Sequence, residues 1–430
     1  MRTKVLFLIA ATIIMAACSN QESVEPESTM ITKTTVSNIR SYEEALKIAQ
    51  ASISILDGSK SPTRGLSKSR KIDMNDRYVV KLDAKTRSGL NINDTLIYVF
   101  NFENNEGFTL ISASKSTEGL LAITEKGQFV PNVRSENEGF NLFLDLAKQY
   151  IINRGITEID TTEVLDGADT VYVHNITGPY LSVEWGQYRP EGEFCFNGLS
   201  GCAATAMAQV MSYYEYPQFM NLTYYGSDVS TQSFNWTQMK AHTAEHPLSL
   251  PSCNSDIHKS ISRLCRQLGQ RAGSSYQNGM TNTMSDSIRP CMLYYGYQTS
   301  TTSYGDWSVI SPDVIKGALN NGKLLFVKGA EYIGGQIVNG HIWVADGYDD
   351  ITTTIYTYTY HPGSPDHNII FVYGPIQNTY YHFNWGWYGV CNGYFTGSVF
   401  NTDNVVFPDT PNNLAGCYFN ANVGTITVWK

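Results

Sequence analysis

Charge is scarce in this chain: Asp, Glu, Lys and Arg make up only 16% of its 430 residues. No basic block is long enough to track a phosphate backbone, which leaves nucleic acid without a partner site. The one short basic run, Lys68-Ser69-Arg70-Lys71, reads as a solvated loop. The net charge of −9 is too mild to indicate a charged partner. No Cys-x-x-Cys pair or histidine cluster has zinc-ligand spacing, so neither metal nor cofactor is expected. Beyond the N-terminus there is no long apolar run, so no membrane span is expected. Tyr (28) and Gly (35) are abundant, as suits an ordered chain rich in strands and loops. Its length suggests two or three domains with ample core.

The first residues are a processing segment. Arg2 and Lys4 precede the apolar stretch Val5 to Met15, followed by Ala16-Ala17-Cys18. Residues 1–17 read as a secretory signal. Small residues before a cysteine resemble a bacterial lipoprotein signal, in which Cys18 is lipidated and tethers the mature chain to the membrane. Ordinary cleavage near Ala17 is the alternative. Either way the expected location is outside the cytoplasm: the bacterial envelope as an outer-membrane or surface lipoprotein, or the medium after processing. Of eight cysteines, removing Cys18 and Cys202 leaves six, enough for three disulfides.

Residues 19–40 are rich in Ser, Thr and Glu and read as a tether. Ser41-Tyr42-Glu43-Glu44 is a capping box opening a helix that runs to Gly58. Strand-like runs follow at 78–82, 95–102, 107–112, 120–123 and 128–130, then a helix over 140–152. Residues 41–155 are thus a small α+β domain. Residues 156–174 carry Asp160, Asp166 and Asp169 and read as an acidic linker holding a processing site. Residues 175–430 divide into a helical half (the Cys202 segment, 257–268, 284–294 and 312–319) and a strand-rich half (323–328, 341–348, 352–360, 368–373 and 380–385). The two halves can enclose a cleft.

Cys202 follows Gly201 and opens Ala203-Ala204-Thr205-Ala206-Met207-Ala208-Gln209-Val210-Met211, a strong helix former. At a helix N-terminus the amide groups and dipole stabilise a thiolate, the nucleophilic form. Taken alone, the same cysteine reads more readily as a small buried hydrophobe, as most free cysteines are. Its partners lie elsewhere. His341, flanked by Gly340 at the mouth of a strand, is the candidate base. Asp346 lies an odd number of residues from His341, faces the other side of the strand, and reads as a fold residue. Asn384, with Trp385, is the candidate to orient the imidazole: the amide accepts its N–H and the indole shields the bond. His382 is a rival base, though its mid-strand setting suits a structural role. Gln187, 15 residues before Cys202, supplies a candidate oxyanion donor beside the Cys202 backbone N–H.

Trp185-Gly186-Gln187, the Gly201-to-Met211 run leading to Tyr216-Pro217, Gly340-His341 through Gly347, and Asn384-Trp385-Gly386-Trp387 together resemble the streptopain family of papain-like cysteine peptidases. The interval from position 202 to 341 falls within the roughly 130–150 residues that papain-type enzymes place between cysteine and histidine. Upstream, Ser41 to Ala49 and Gly107-Phe108-Thr109-Leu110-Ile111-Ser112-Ala113 resemble that family's inhibitory prodomain. The resemblance implies an α+β papain-like fold of two subdomains behind a prodomain that acts as intramolecular inhibitor. It implies Cys202 as nucleophile, His341 as base and then acid, Gln187 at the oxyanion, and Asn384 and Trp385 holding His341, with protein or peptide substrates. Two departures stand out: residues 188–195 lack the family's Pro-aromatic-Asn pattern, and Tyr388 stands where glycine is common. Two rival readings keep the same residues: a transglutaminase- or amidase-like acyltransferase, and an inactive surface-binding homologue.

Overall fold

The computed structural model describes residues 38–58, 70–81, 95–155, 168–224, 228–242, 256–277, 279–300, 307–333, 336–359, 368–400 and 423–430. The expected signal, Cys18, Cys253, Cys417 and most of the acidic linker lie outside them. Among the described residues no helix is long and apolar enough to cross a membrane.

The N-terminal domain begins earlier than its composition suggests. Arg40, expected in the tether, donates its backbone N–H to the Ala113 carbonyl, and its guanidinium to the carbonyls of Ser112, Ser114 and Thr117. Helix α1 (Tyr42–Gly58) starts on the expected capping box: the Ser41 N–H donates to Glu44 Oε2 at 2.6 Å, and the Glu44 N–H to Ser41 Oγ at 3.2 Å. Strands β1 (Ile72–Lys81), β2 (Thr95–Phe102), β3 (Phe108–Ser112) and β4 (Leu120–Thr124) pair in sequence order as an antiparallel meander. The strand expected over 128–130 does not form. The Asn101 side chain takes both backbone groups of Phe129, accepting its N–H at 2.8 Å and donating to its carbonyl at 2.9 Å. Helix α2 (Glu138–Gly155) closes the domain, its Asn137 side chain accepting the Phe140 N–H.

Strand β5 (Ala168–Thr177) starts inside the expected linker, and all of it pairs with a strand of the following domain. Helix α3 (Cys202–Tyr214) is buried from Ala203 to Ser212 and so is a central helix. After it come β6 (Phe219–Tyr224), β7 (Asp228–Ser233), α4 (Trp236–Ala241), α5 (Asp256–Arg271), β8 (Ser275–Gln277) and β9 (Met280–Asn282). Helix α6 (Ile288–Tyr294) is shorter than expected, because Ser285–Ser287 form a 3₁₀ turn instead. Strands β10 (Gln298–Thr299) and β11 (Ser308–Val309) lead to α7 (Pro312–Leu319), capped by Ser311. The sheet half is β12 (Leu324–Ile333), β13 (Gln336–Thr359), β14 (Asn368–Asn384), β15 (Gly393–Thr396) and β16 (Gly424–Trp429). The four strands expected over 341–385 are two. The Gly374-Pro375 step, which lies between two of the expected strands, falls beside a register shift in the β13–β14 ladder, and pairing continues past it.

The two domains share one sheet, ordered β1-β2-β3-β4-β15-β14-β13-β12-β16-β10, with β5 paired on β13. The seam is β4 against β15, where Ala122, Ile123 and Thr124 face Phe395, Tyr394 and Gly393. They share a core as well. Phe143 of α2 meets Phe395 at 4.8 Å and Phe400 at 5.8 Å between ring centroids, pairs worth about 0.5–1.5 kcal/mol each beyond their buried area.

Among the expected disulfide cysteines, Cys195, Cys265, Cys291 and Cys391 are buried free thiols. Each sits as a small apolar side chain in the interior, and burial raises its pKa, to about 11 for Cys195 and about 12 for Cys291 and Cys391.

Candidate active site

Helix α3 begins at Cys202 itself. Gly201 before it has φ 84°, a left-handed conformation open to glycine at little cost, and an added Cβ would meet Thr281 Cγ2 at 2.8 Å. The half-buried Cys202 thiol lies against the backbone amides of Ile342 on β13, Ala203 and Cys202 itself. Burial outweighs these amides, and with the Glu138 carboxylate of α2 pushes the thiol up to about 11.

His341 is not at the mouth of a strand but within β13, paired with Gly329 of β12. Its Nε2 lies 3.0 Å from the Trp385 carbonyl oxygen, so Nε2 carries the proton and donates it. Its buried Nδ1 has no hydrogen-bond partner among the described residues. Burial takes its pKa down to about 4, against the smaller opposing effect of the Trp385 carbonyl. Cysteine and imidazole are therefore both neutral here, and no hydrogen bond joins them. A bare Nδ1 is nevertheless the correct tautomer for taking a proton from a thiol.

The cover on this pair is the start of α2. A Cβ added at Gly139 would stand 2.6 Å from His341 Cδ2 and 2.4 Å from Trp385 Cε3, so the helix backbone rests directly on both rings. Trp385 is fixed from behind, donating its indole N–H to the Cys391 carbonyl at 2.9 Å and packing at a tilt against Trp343, 4.9 Å between ring centroids.

Asn384 does not meet His341. Its Oδ1 accepts from Gln209 Nε2 at 3.0 Å and from the Gly386 N–H at 3.1 Å, and its Nδ2 donates to the Val183 carbonyl at 2.9 Å. It ties α3, β14 and the Trp185 segment together, while the backbone of Trp385 orients the histidine. Gln209 was legible as part of the helix motif, seven residues and two turns from Cys202 on the same face. A main-chain carbonyl leaves no trace in residue identity. Gln187 is buried, and its carbonyl accepts both the N–H (2.8 Å) and Oγ (3.0 Å) of Ser200, which closes the loop leading to Cys202. No hydrogen bond among the described residues engages its side-chain amide.

Asp346 serves the fold. Its Oδ2 accepts the Leu181 N–H at 2.9 Å and its Oδ1 lies 2.6 Å from His382 Nδ1. His382 also faces Glu125, next to β4, at 3.6 Å. Burial opposes the charge on His382, but the two carboxylates prevail and raise it to about 10. A histidine raised from its unfolded value of about 6.5 contributes stability that is full below pH 6.5 and lost as pH climbs toward 10. Denaturation of the full chain should therefore show stability falling across that window. Asp346→Asn should remove most of the slope and cost about 3–5 kcal/mol, the penalty for orphaning a buried charge; an unchanged slope would rule out the pair as its source.

Residues 182–395 match the Peptidase C10 family and residues 30–151 the Spi protease inhibitor family. The chain is 25% identical over 357 residues to streptopain of Streptococcus pyogenes serotype M1, covering 75% of this chain and 78% of that protein. It is 23% identical over 342 residues to the thiol protease/hemagglutinin PrtT of Porphyromonas gingivalis, covering 72% of this chain and 34% of that one. A prointerpain A fragment from Prevotella intermedia superposes with a TM-score of 0.47 and 17% identity over 82% of this chain and 98% of that one. With its peptidase domain preceded by a domain of the inhibitor family that rests on the candidate histidine, this chain belongs to the Peptidase C10, or streptopain, family and is the zymogen of a cysteine peptidase.

Proposed function

We propose that the chain is exported, held at the envelope through lipidated Cys18, and activated when its N-terminal domain is cut away in the segment between α2 and β5. Cys202 is the nucleophile and His341 the base. The reading rests on one observation above all: a cysteine at a helix start, within the field of Glu138 of α2, and a histidine with a bare Nδ1 whose ring lies beneath the first turn of that helix.

With α2 gone, water and substrate reach the pair and the Glu138 charge is removed. The Cys202 proton passes to His341 Nδ1 while Nε2–H stays on the Trp385 carbonyl, which favours the imidazolium. The sulfur bonds to the scissile carbonyl carbon, and the oxyanion lies between the Gln187 amide and the Cys202 N–H. Collapse breaks the C–N bond, with the His341 proton going to the leaving amine. Water then cleaves the thioester, giving its proton to His341 and regenerating the thiol. Asn384 supports this geometry from beneath. Substrates are proteins or peptides.

A thiol-directed peptidyl inhibitor tests this directly. It should label the processed form at Cys202 and leave the full-length chain unlabelled at neutral pH. Labelling at another cysteine, or none in the processed form, would overturn the assignment. Transfer to an added amine in preference to hydrolysis would indicate an acyltransferase instead.

A further inference from the structure

Gly186 and Gln187 are not held by the Cys202 helix alone. The Tyr388 ring lies flat against the Gly186 backbone, where an added Cβ would stand 2.1 Å from Tyr388 Cζ and 2.2 Å from Cε2. Tyr388 keeps this place with φ 56°, a left-handed conformation that an L-residue adopts only under constraint. Next to it, Trp387 packs edge-on against Tyr188 at 5.5 Å. Beneath the turn is Glu191, 1% exposed, its carboxyl facing the Gly186 and Glu191 backbone and the Tyr388 phenol, with neither oxygen in a hydrogen bond among the described residues. A buried carboxyl without an ion-pair partner is costly, and neither the chemistry of Cys202 and His341 nor the shared core uses this one.

We propose that Tyr388 and Glu191 are positioning residues that act through the Gly186–Gln187 backbone to aim the Gln187 amide at the oxyanion. This rests on the reading of Gln187 as oxyanion donor. Burial raises the Glu191 carboxyl to about 8, with the amides and Tyr388 pulling the other way. The other titratable groups facing it are Tyr388 itself and Cys265 of α5, both raised by burial and so uncharged in this range. Ionisation of Glu191 therefore puts a buried negative charge behind the Gly186–Gln187 turn and loosens its hold on the donor, and turnover drops as pH rises past about 8.

The test uses enzyme matured from the full-length chain and a fluorogenic peptide. Gln187→Ala is expected to lower kcat about 10²-fold or more. Glu191→Ala should lower kcat about tenfold with KM little changed, and should add nothing in the Gln187→Ala background. Glu191→Gln, which mimics the neutral acid, should keep kcat at pH 7 and hold it above pH 8, where the unaltered enzyme declines. Tyr388→Phe removes the phenol that favours the carboxylate and should move that decline to higher pH. If Gln187→Ala matters but Glu191→Gln retains the alkaline decline, or Glu191→Ala changes only thermal stability, the inference is wrong while the oxyanion reading stands. If Gln187→Ala leaves kcat unchanged, both are wrong.

Discussion

A chain carrying Cys202→Ala should stay at full length under conditions in which the unaltered chain loses its N-terminal domain. Its peptide hydrolysis should fall by about 10⁴-fold or more, because no other group can form the acyl intermediate and removing a nucleophile usually costs at least this much. N-terminal sequencing of both preparations gives the readout. The unaltered chain should yield a new terminus between α2 and β5, and the variant none. Strand β5 makes the cut site matter. It pairs residue for residue with β13 from Ala168 to Thr177, so a cut before it leaves the strand on the peptidase. Processed enzyme added in trans should cleave the Cys202→Ala chain at the same bond, which separates a missing nucleophile from a misfolded substrate. Normal maturation of the variant would remove Cys202 from self-processing.

Gly139→Leu should release the thiol without any cut. Glycine is required here because the next atom out would lie 2.4–2.6 Å from the Trp385 and His341 rings, so a leucine forces the first turn of α2 off the site. Glu138 moves with it. In the unaltered precursor, with the thiol at about 11, alkylation by iodoacetamide should rise about tenfold per pH unit through neutral pH, following the thiolate fraction. That fraction is about 10⁻⁴ at pH 7. If uncovering restores a papain-like thiolate of pKa about 4, the fraction rises about 10⁴-fold, while intrinsic nucleophilicity falls about 10³-fold. The net gain is about tenfold, increased further by access, and the pH dependence flattens. An alkylation rate and pH slope equal to those of the unaltered chain would show that α2 does not control the thiol. The β4–β15 seam and the Phe143 contacts remain in this variant, so the domain is loosened over the site and not lost.

Much of this was legible because it is local. The capping box at Ser41, the helix opening at Cys202 and the Ser311 cap each depend on a few neighbouring residues, and each element starts where those residues place it. The order Gln187, Cys202, His341, Asn384-Trp385 was readable too, since a site assembled from several elements still leaves its residues in the chain. Other expectations failed where a distant group intervened. Asn101 took the backbone of Phe129, so no strand formed there. Gly374-Pro375 lay between two expected strands, but the long β13–β14 ladder carried it as an irregularity. Four of the six cysteines that export made available for pairing, Cys195, Cys265, Cys291 and Cys391, are instead buried singly.

The sequence by itself determined the α+β class, the family, the seat of Cys202 at a helix start and the presence of an inhibitor-type domain ahead of the peptidase domain. These follow from residue types and short spacings. Tertiary structure alone decided how the site is held and silenced. The acceptor for His341 is the Trp385 main-chain carbonyl, while Asn384 is spent on Gln209, Gly386 and Val183. The cover is a glycine backbone, and the two domains are one sheet joined at β4 and β15. Main-chain carbonyls, close approaches at glycine and sheet seams are made of atoms that every residue shares, so residue identity cannot announce them; only the folded chain brings them to their partners.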